Sequence, residues 1–243
     1  MAVLLWWFIV EILGLAALPL AYRLFRNLPD RGYAFAKPLG ILLTSYVLWI
    51  GASFGFLRNS WGGIFFSILV VATASWWFYS RENRGLAGFL RGNRRLIMAN
   101  EVLFTLAFVL FVLYRAYNPE IMGTEKPMEF AFLNAILRSE TFPPHDPWLS
   151  GFAISYYYFG YLMMAMLTKL SGVASAVAFN LGIALLFALT VTGAYSLVYN
   201  LIQGAEERRS RGDSLTRYLA PLLGSLFVAI LGNLEAIFEV LYS

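Results

Sequence analysis

The 243-residue chain contains no cysteine and a single histidine, His145. The first absence removes disulfides and thiolate metal sites, and the second removes any multi-histidine metal centre. Charge is scarce as well. Only 13% of residues are Asp, Glu, Lys or Arg, against about 25% in ordinary globular chains. The net charge of +4 comes from arginines lying between apolar runs, which is the pattern of cytoplasmic membrane loops and not of a nucleic-acid surface. Nucleic acid is therefore not expected as a partner.

What remains is oil. Hydrophobic residues make up 60% of the chain, and the runs 39–57, 59–80, 147–168 and 170–205 carry no charged residue. Each matches or exceeds the roughly 18–20 residues that cross a bilayer. Apolar runs of this length without alternation are helices and not barrel strands. The expected fold is all-α: a polytopic transmembrane helical bundle with about seven membrane segments, near 2–22, 38–57, 60–79, 97–117, 153–171, 174–203 and 218–240. The first run lacks a basic n-region and carries Glu11, so it reads as a retained helix and not as a signal peptide.

Basic residues in short loops set the expected orientation. Arg23, Arg26, Arg31 and Lys37 follow the first segment, and Arg81, Arg84, Arg91, Arg94 and Arg95 follow the third. Loops 23–37 and 81–95 should be cytoplasmic, with the N-terminus and loop 118–152 external. Two units are expected, 1–95 as an N-terminal three-helix segment and 96–243 as a membrane module with that loop. Beyond it, single crossings by segments five and six would put Arg208, Arg209, Arg211 and Arg217 outside. Either the 36 uncharged residues 170–205, about 54 Å as one helix, form two short helices, or segment five is a partial, re-entrant span. The favoured placement of the arginine loop is inside, with Asn233 and Glu235 rising to the face of the long loop. The chain stops at Ser243 directly after an apolar run, and a fragment or one module of something longer is expected.

The stretch 123–161 is the polar exception. Thr124 is a good helix N-cap, Pro127 suits a first turn, and Met128, Phe132 and Ile136 recur at a spacing of four. The expectation is an interfacial amphipathic helix with Glu129, Asn134 and Arg138 on its polar side. Glu125 in its first turn would be stabilised as an anion by the helix dipole. Pro143 and Pro144 then break the chain and present His145, Asp146 and Trp148. Glu125 and Asp146 could converge to coordinate a divalent metal on a phosphate, or one could act as general base. The alternative is that both are solvated loop charges or caps. His145 suits a hydrogen bond to a carboxylate or phosphate better than metal ligation. Tyr156, Tyr157 and Tyr158, placed on a helix, point about 100° apart, so at least one should face the interior. Among charges in apolar runs, Glu101 should be paired or capping near the loop arginines, Glu11 has no evident partner, and Glu235 is a candidate site residue.

GTEKPMEFAFLNAILRS, PPHDPW, SYYYFGY and LGNLE together resemble the "YYY" family of large uncharacterised polytopic membrane proteins over about residues 95–240. That family is in turn distantly similar to GT-C type membrane glycosyltransferases. The resemblance implies transfer of a sugar from a polyprenyl-phosphate donor at the external face. Glu125 would be base or acceptor ligand with Asp146 assisting, and a divalent ion would be a cofactor. Substrate-binding residues would be Lys126, Glu129, Arg138, His145, Trp148, Tyr156, Tyr157, Tyr158, Asn233 and Glu235. Lys126 follows Glu125 where the common pattern has a second acid, so Lys126 would contact phosphate and Asp146 would supply the second carboxylate. Membrane lipid is the expected partner. A non-catalytic subunit or scaffold binding lipid or another protein is the alternative reading.

Overall fold

The computed structural model describes residues 1–81, 85–149, 151–206 and 216–232. Among them secondary structure is helical, with one isolated bridge between His145 and Ala153. Helices α1 (Ala2–Leu24), α2 (Ala36–Ser53), α3 (Trp61–Ser80), α5 (Arg94–Tyr117) and α8 (Ser175–Glu206) are long and apolar enough to cross a membrane. Shorter helices are α4 (Leu86–Gly92), α6 (Lys126–Arg138), α7 (Phe159–Ser171), α9 (Thr216–Leu219) and α10 (Pro221–Ala229). Five helices of membrane-spanning length thus stand among the described residues where seven segments were expected, and residues 233–240 of the seventh lie outside the described residues. Asn233 and Glu235, like Arg84, Arg208, Arg209 and Arg211, lie outside the described residues.

The first three spanning helices pack as consecutive hairpins, and α8 packs along α5 and α10. Close approach of α1 and α2 depends on small residues at the crossing, as is usual where lipid offers no hydrophobic gain. A Cβ on Gly40 would stand 2.1 Å from the Leu13 carbonyl oxygen, and one on Gly14 would stand 2.9 Å from Lys37 Cγ. One core cluster joins Trp6, Leu13, Leu48 and Ile64 to Phe104, Phe108, Ile136 and Leu185.

The fifth expected segment is a helix of 13 residues, short of membrane-spanning length. Trp49 Nε1, at the end of α2, donates to Tyr158 Oη at 2.8 Å beside the start of α7. At the other end of α7, Trp6 Nε1 donates to Ser171 Oγ at 2.9 Å, and Lys169 Nζ donates to the Asn59 carbonyl in the α2–α3 connection. Trp6, Trp49 and Asn59 all belong to one end of the bundle. A helix of 13 residues, about 20 Å long, therefore lies across that end and turns back at Gly172, whose φ of +62° ends it.

Helix α8 is continuous over 32 residues. Its first turns meet the end of α5 through Asn180 and Arg115, and its last turns meet the α1–α2 connection through Ser196, Asn200 and Asp30. It runs the full height from the loop end to the arginine-bearing end. Of the two ways to reconcile the hydrophobic runs with the basic loops, the structure has the short fifth segment and not a divided sixth.

Two local expectations on the polar stretch are corrected. Thr124 does not cap α6: it takes a φ of +50°, and Glu125 occupies the cap position with no side-chain capping bond. The helix starts at Lys126, so Glu129 is the acid in its first turn. Nor do the three tyrosines share a helix, because α7 begins only at Phe159. The tyrosines lie in irregular chain before α7, where packing and not helical phase directs each ring.

Candidate functional site

Helix α6 is the organising element of the loop end. Its apolar side, Phe132, Leu133, Ala135 and Ile136, is buried, which fixes it over α7 and α8 and leaves two other faces at two cavities. Burying the Phe132 and Ile136 side chains contributes on the order of 1.5–3 kcal/mol each.

The larger cavity is a groove of about 530 Å³ between α2, α6, α7 and α8. Ile41, Leu42, Met163, Met164, Phe179, Ile183 and Leu186 are among its walls. Leu42 and Leu186 are exposed on the outer surface of the bundle, so the groove opens sideways. Glu129 is the one carboxylate on its wall, with Tyr157 and Tyr161 beside it. Tyr161 Oη faces Glu129 Oε1 at 3.4 Å, a long contact that leaves the carboxylate free to accept from a ligand. Burial and the Glu129 charge push the Tyr161 phenol up to about 12. Tyr156 donates to Tyr157 Oη at 2.6 Å, and their rings stack with centroids 4.0 Å apart. That hydrogen bond, with burial and the Glu125 and Glu129 charges adding to it, pushes Tyr156 up to about 12 as well. Tyr158 is separate. It accepts from Trp49 and stacks on Phe142, so it is the tyrosine that faces the interior.

The second cavity, about 350 Å³, lies at the C-terminal end of α6 and is lined by Arg138, Glu140, Thr141, His145 and Asp146 among others. Asp146 Oδ1 accepts the backbone N–H groups of Trp148 and Leu149 at 2.8 and 2.9 Å, a local turn of the kind Asp favours. Trp148 is exposed, with its ring 5.7 Å from Phe132.

The residues named from sequence thus divide. Glu129 and Tyr157 meet at the groove, where the structure adds Tyr161, which was not named from sequence, and Glu125 and Lys126 sit just beyond it at the start of α6. Arg138, His145 and Asp146 meet at the other cavity. Neither cavity is lined by both Glu125 and Asp146. Among the described residues no group of three or more His, Asp or Glu gathers in a way that could hold a metal ion.

Sequence reasoning missed a second polar centre. Lys37 was counted with a cytoplasmic loop, but it lies in α2 and is buried. Its Nζ donates to both Glu101 oxygens at 2.6 and 2.8 Å and stands 3.2 Å from Glu11 Oε2. Tyr33 Oη adds a bond to Glu101 at 2.7 Å. Glu101 is therefore paired within the bundle and not with the loop arginines, and Glu11 has a partner. The available signal was the buried stripe Lys37, Ile41, Thr44, Ser45 and Leu48 on α2, whose spacing of three and four puts Lys37 inside.

A helical bundle with five membrane-length apolar helices and a laterally open apolar groove is an integral membrane protein. Residues 43–243 match the family described as uncharacterized membrane protein, DUF2298, and the chain belongs to that family. No curated protein and no solved structure matches it.

Proposed function

We propose that the chain binds a lipid-linked substrate and acts on its head group as a GT-C-like glycosyltransferase. The observation that carries the reading is the apolar groove ending at Glu129 and Tyr161. Ligand sites are mostly apolar with a few placed polar groups, and here the apolar part suits an isoprenoid tail entering between Leu42 and Leu186. The sugar would then lie at Glu129. In the transfer, an acceptor hydroxyl attacks the anomeric carbon, the bond from that carbon to the phosphate oxygen breaks, and polyprenyl phosphate leaves. Glu129 takes the hydroxyl proton, the role that the resemblance implies for Glu125. Lys126, one turn away on the same helix end, is the cation for the phosphate.

The reading includes an orientation. We read α1, α2, α3, α5 and α8 as crossings with α7 across one end, and take the end that carries Arg23, Arg91 and Arg217 as cytoplasmic by the basic-loop rule, which puts the N-terminus and α6 outside.

The test uses the full chain in detergent. Native mass spectrometry measures retention of a polyprenyl phosphate, and radiolabelled sugar measures transfer from polyprenyl-phosphate donors. Gly182→Trp, which fills the groove wall where even an added Cβ would stand 3.0 Å from Met164 Sδ, should abolish retention. Glu129→Gln should keep the lipid and lower transfer by about 10²–10⁴-fold. Undiminished transfer by Glu129→Gln would remove the catalytic assignment. Retention without any transfer by the native chain would instead support a non-catalytic lipid-binding subunit.

A further inference from the structure

The side chains of Arg138, His145 and Asp146 have no part in the groove. Counting about 100° per residue on α6, Glu129 and Leu133 face the groove, while Ala135 and Arg138 lie some 120–180° around the helix. The second cavity is therefore a separate place on the opposite face, and what is argued for it does not rest on the lipid reading.

We propose that this cavity binds a water-soluble acidic saccharide, a hydroxylated ligand carrying one carboxylate or phosphate. Three observations converge. First, its basic side chains are unspent: among the described residues those of Arg138 and His145 make no hydrogen bond or ion pair. An unpaired guanidinium in a concavity is the strongest side-chain recogniser of a planar or tetrahedral oxyanion, because its fork can hold two oxygens at once. Second, acceptors for hydroxyl groups stand in the same wall. Asp146 spends Oδ1 on its turn and keeps Oδ2, while the Thr141 hydroxyl is a further donor and acceptor. Glu140 is already matched by Arg58 at 2.9 Å, so the cavity does not repel an anion through that carboxylate.

Third, the walls are held. Asp146 N–H donates to the Phe152 carbonyl and Ile154 N–H to the Pro144 carbonyl, both at 2.9 Å, which ties the His145 segment to the chain returning toward α7. Pro143 and Pro147 form part of the lining, and proline restricts the backbone on which the charged groups sit. At about 350 Å³ the cavity is at the small end of ligand pockets, which run from about 300 to 1,000 Å³. That size suits one sugar unit and excludes a lipid tail.

The experiment is calorimetric titration of the full chain in detergent with glucuronate, glucose 6-phosphate, glucose and inorganic phosphate. Saturable 1:1 binding of the two acidic sugars is expected, with glucose about tenfold weaker or more, the worth of one charge-assisted hydrogen bond. Arg138→Met should weaken the acidic sugars by the same factor and leave glucose unchanged. Asp146→Asn, which keeps the turn-forming oxygen, should weaken all three. Glu129→Gln should change none of them, and that control separates this site from the groove. The proposal is overturned if no sugar gives saturable heat, if phosphate alone binds as tightly as the sugar phosphate, or if Arg138→Met leaves acidic-sugar binding intact.

Discussion

Lys37 Nζ and Glu101 are joined by two hydrogen bonds of 2.6 and 2.8 Å inside the bundle, and the same nitrogen reaches Glu11 at 3.2 Å. Three helices, α1, α2 and α5, are thereby tied at one atom. The ring of Phe104 lies 4.8 Å from it, so the ammonium is enclosed partly by an aromatic face. Removing one partner of a buried pair leaves uncompensated charge and costs about 3–5 kcal/mol, whereas replacing all partners by neutral groups is often near neutral. Lys37→Met should therefore lower the melting temperature in detergent markedly. The triple variant Lys37→Met, Glu11→Gln, Glu101→Gln should recover most of the loss. A Lys37→Met protein as stable as the native chain would show that the cluster does not clamp these helices.

Much of the architecture is legible in hydropathy because a bilayer demands long apolar helices, and α1, α2, α3, α5 and α8 coincide with expected apolar segments. The amphipathic α6 is legible from Met128, Phe132 and Ile136. What hydropathy does not carry is depth. The run containing Tyr161 to Lys169 is as apolar as a span, but α7 is held at one end by Trp49, Trp6 and the Asn59 carbonyl, contacts more than 100 residues distant in sequence. Lys37 shows the same limit in reverse. A base next to a loop reads as a loop base unless its phase on α2 is followed. At the candidate site, a shift of the helix start from Thr124 to Glu125 is enough to bring Glu129 into the first turn and onto the groove.

The placement of α7 has a direct chemical test, since the chain has no cysteine of its own. Single cysteines introduced as Gly55→Cys, Gly123→Cys, Ala174→Cys and Gly92→Cys all fall at exposed positions. A membrane-impermeant maleimide added to intact cells should label the first three alike and spare the fourth. Labelling of Ala174→Cys only after permeabilisation, together with Gly92→Cys, would mean that α7 crosses.

Asp30 is fully buried in the α1–α2 connection and accepts from Ser196 Oγ, Asn200 Nδ2 at 2.9 Å and the Gly32 N–H at 2.9 Å. It fastens the arginine-bearing end of α1 to the last turns of α8. Hydrogen bonds to a charged group contribute about 1.5–3 kcal/mol each, and Asp30→Ala leaves three donors without their acceptor. Asp30→Ala should be destabilised by several kcal/mol in a denaturant titration, while Asn200→Ala, which removes one of several partners, should lose less. Equal losses would indicate that Asn200 acts through contacts other than Asp30.

The two raised phenols give the groove mouth a spectroscopic signature. Tyr161 is held up to about 12 by burial and the neighbouring Glu129 charge, and Tyr156 to about 12 first by its bond to Tyr157. A phenol whose folded value exceeds its ordinary value of 10 keeps its proton longer in the folded chain. Its contribution to stability is full below pH 10 and is lost as pH rises toward 12. Ultraviolet titration of phenolate should therefore show a late fraction of tyrosine titrating near pH 12, and stability should fall across that same window. Glu129→Gln removes the charge beside Tyr161, so part of that late fraction should move toward 10, and the alkaline loss of stability should shrink with it. Tyr156→Phe should remove another part without moving Tyr161 to the same extent, because burial is the first cause of the Tyr161 shift. If Glu129→Gln leaves the titration curve unchanged, Glu129 is not ionised beside Tyr161, and the carboxylate that the groove mouth needs as a proton acceptor is not there.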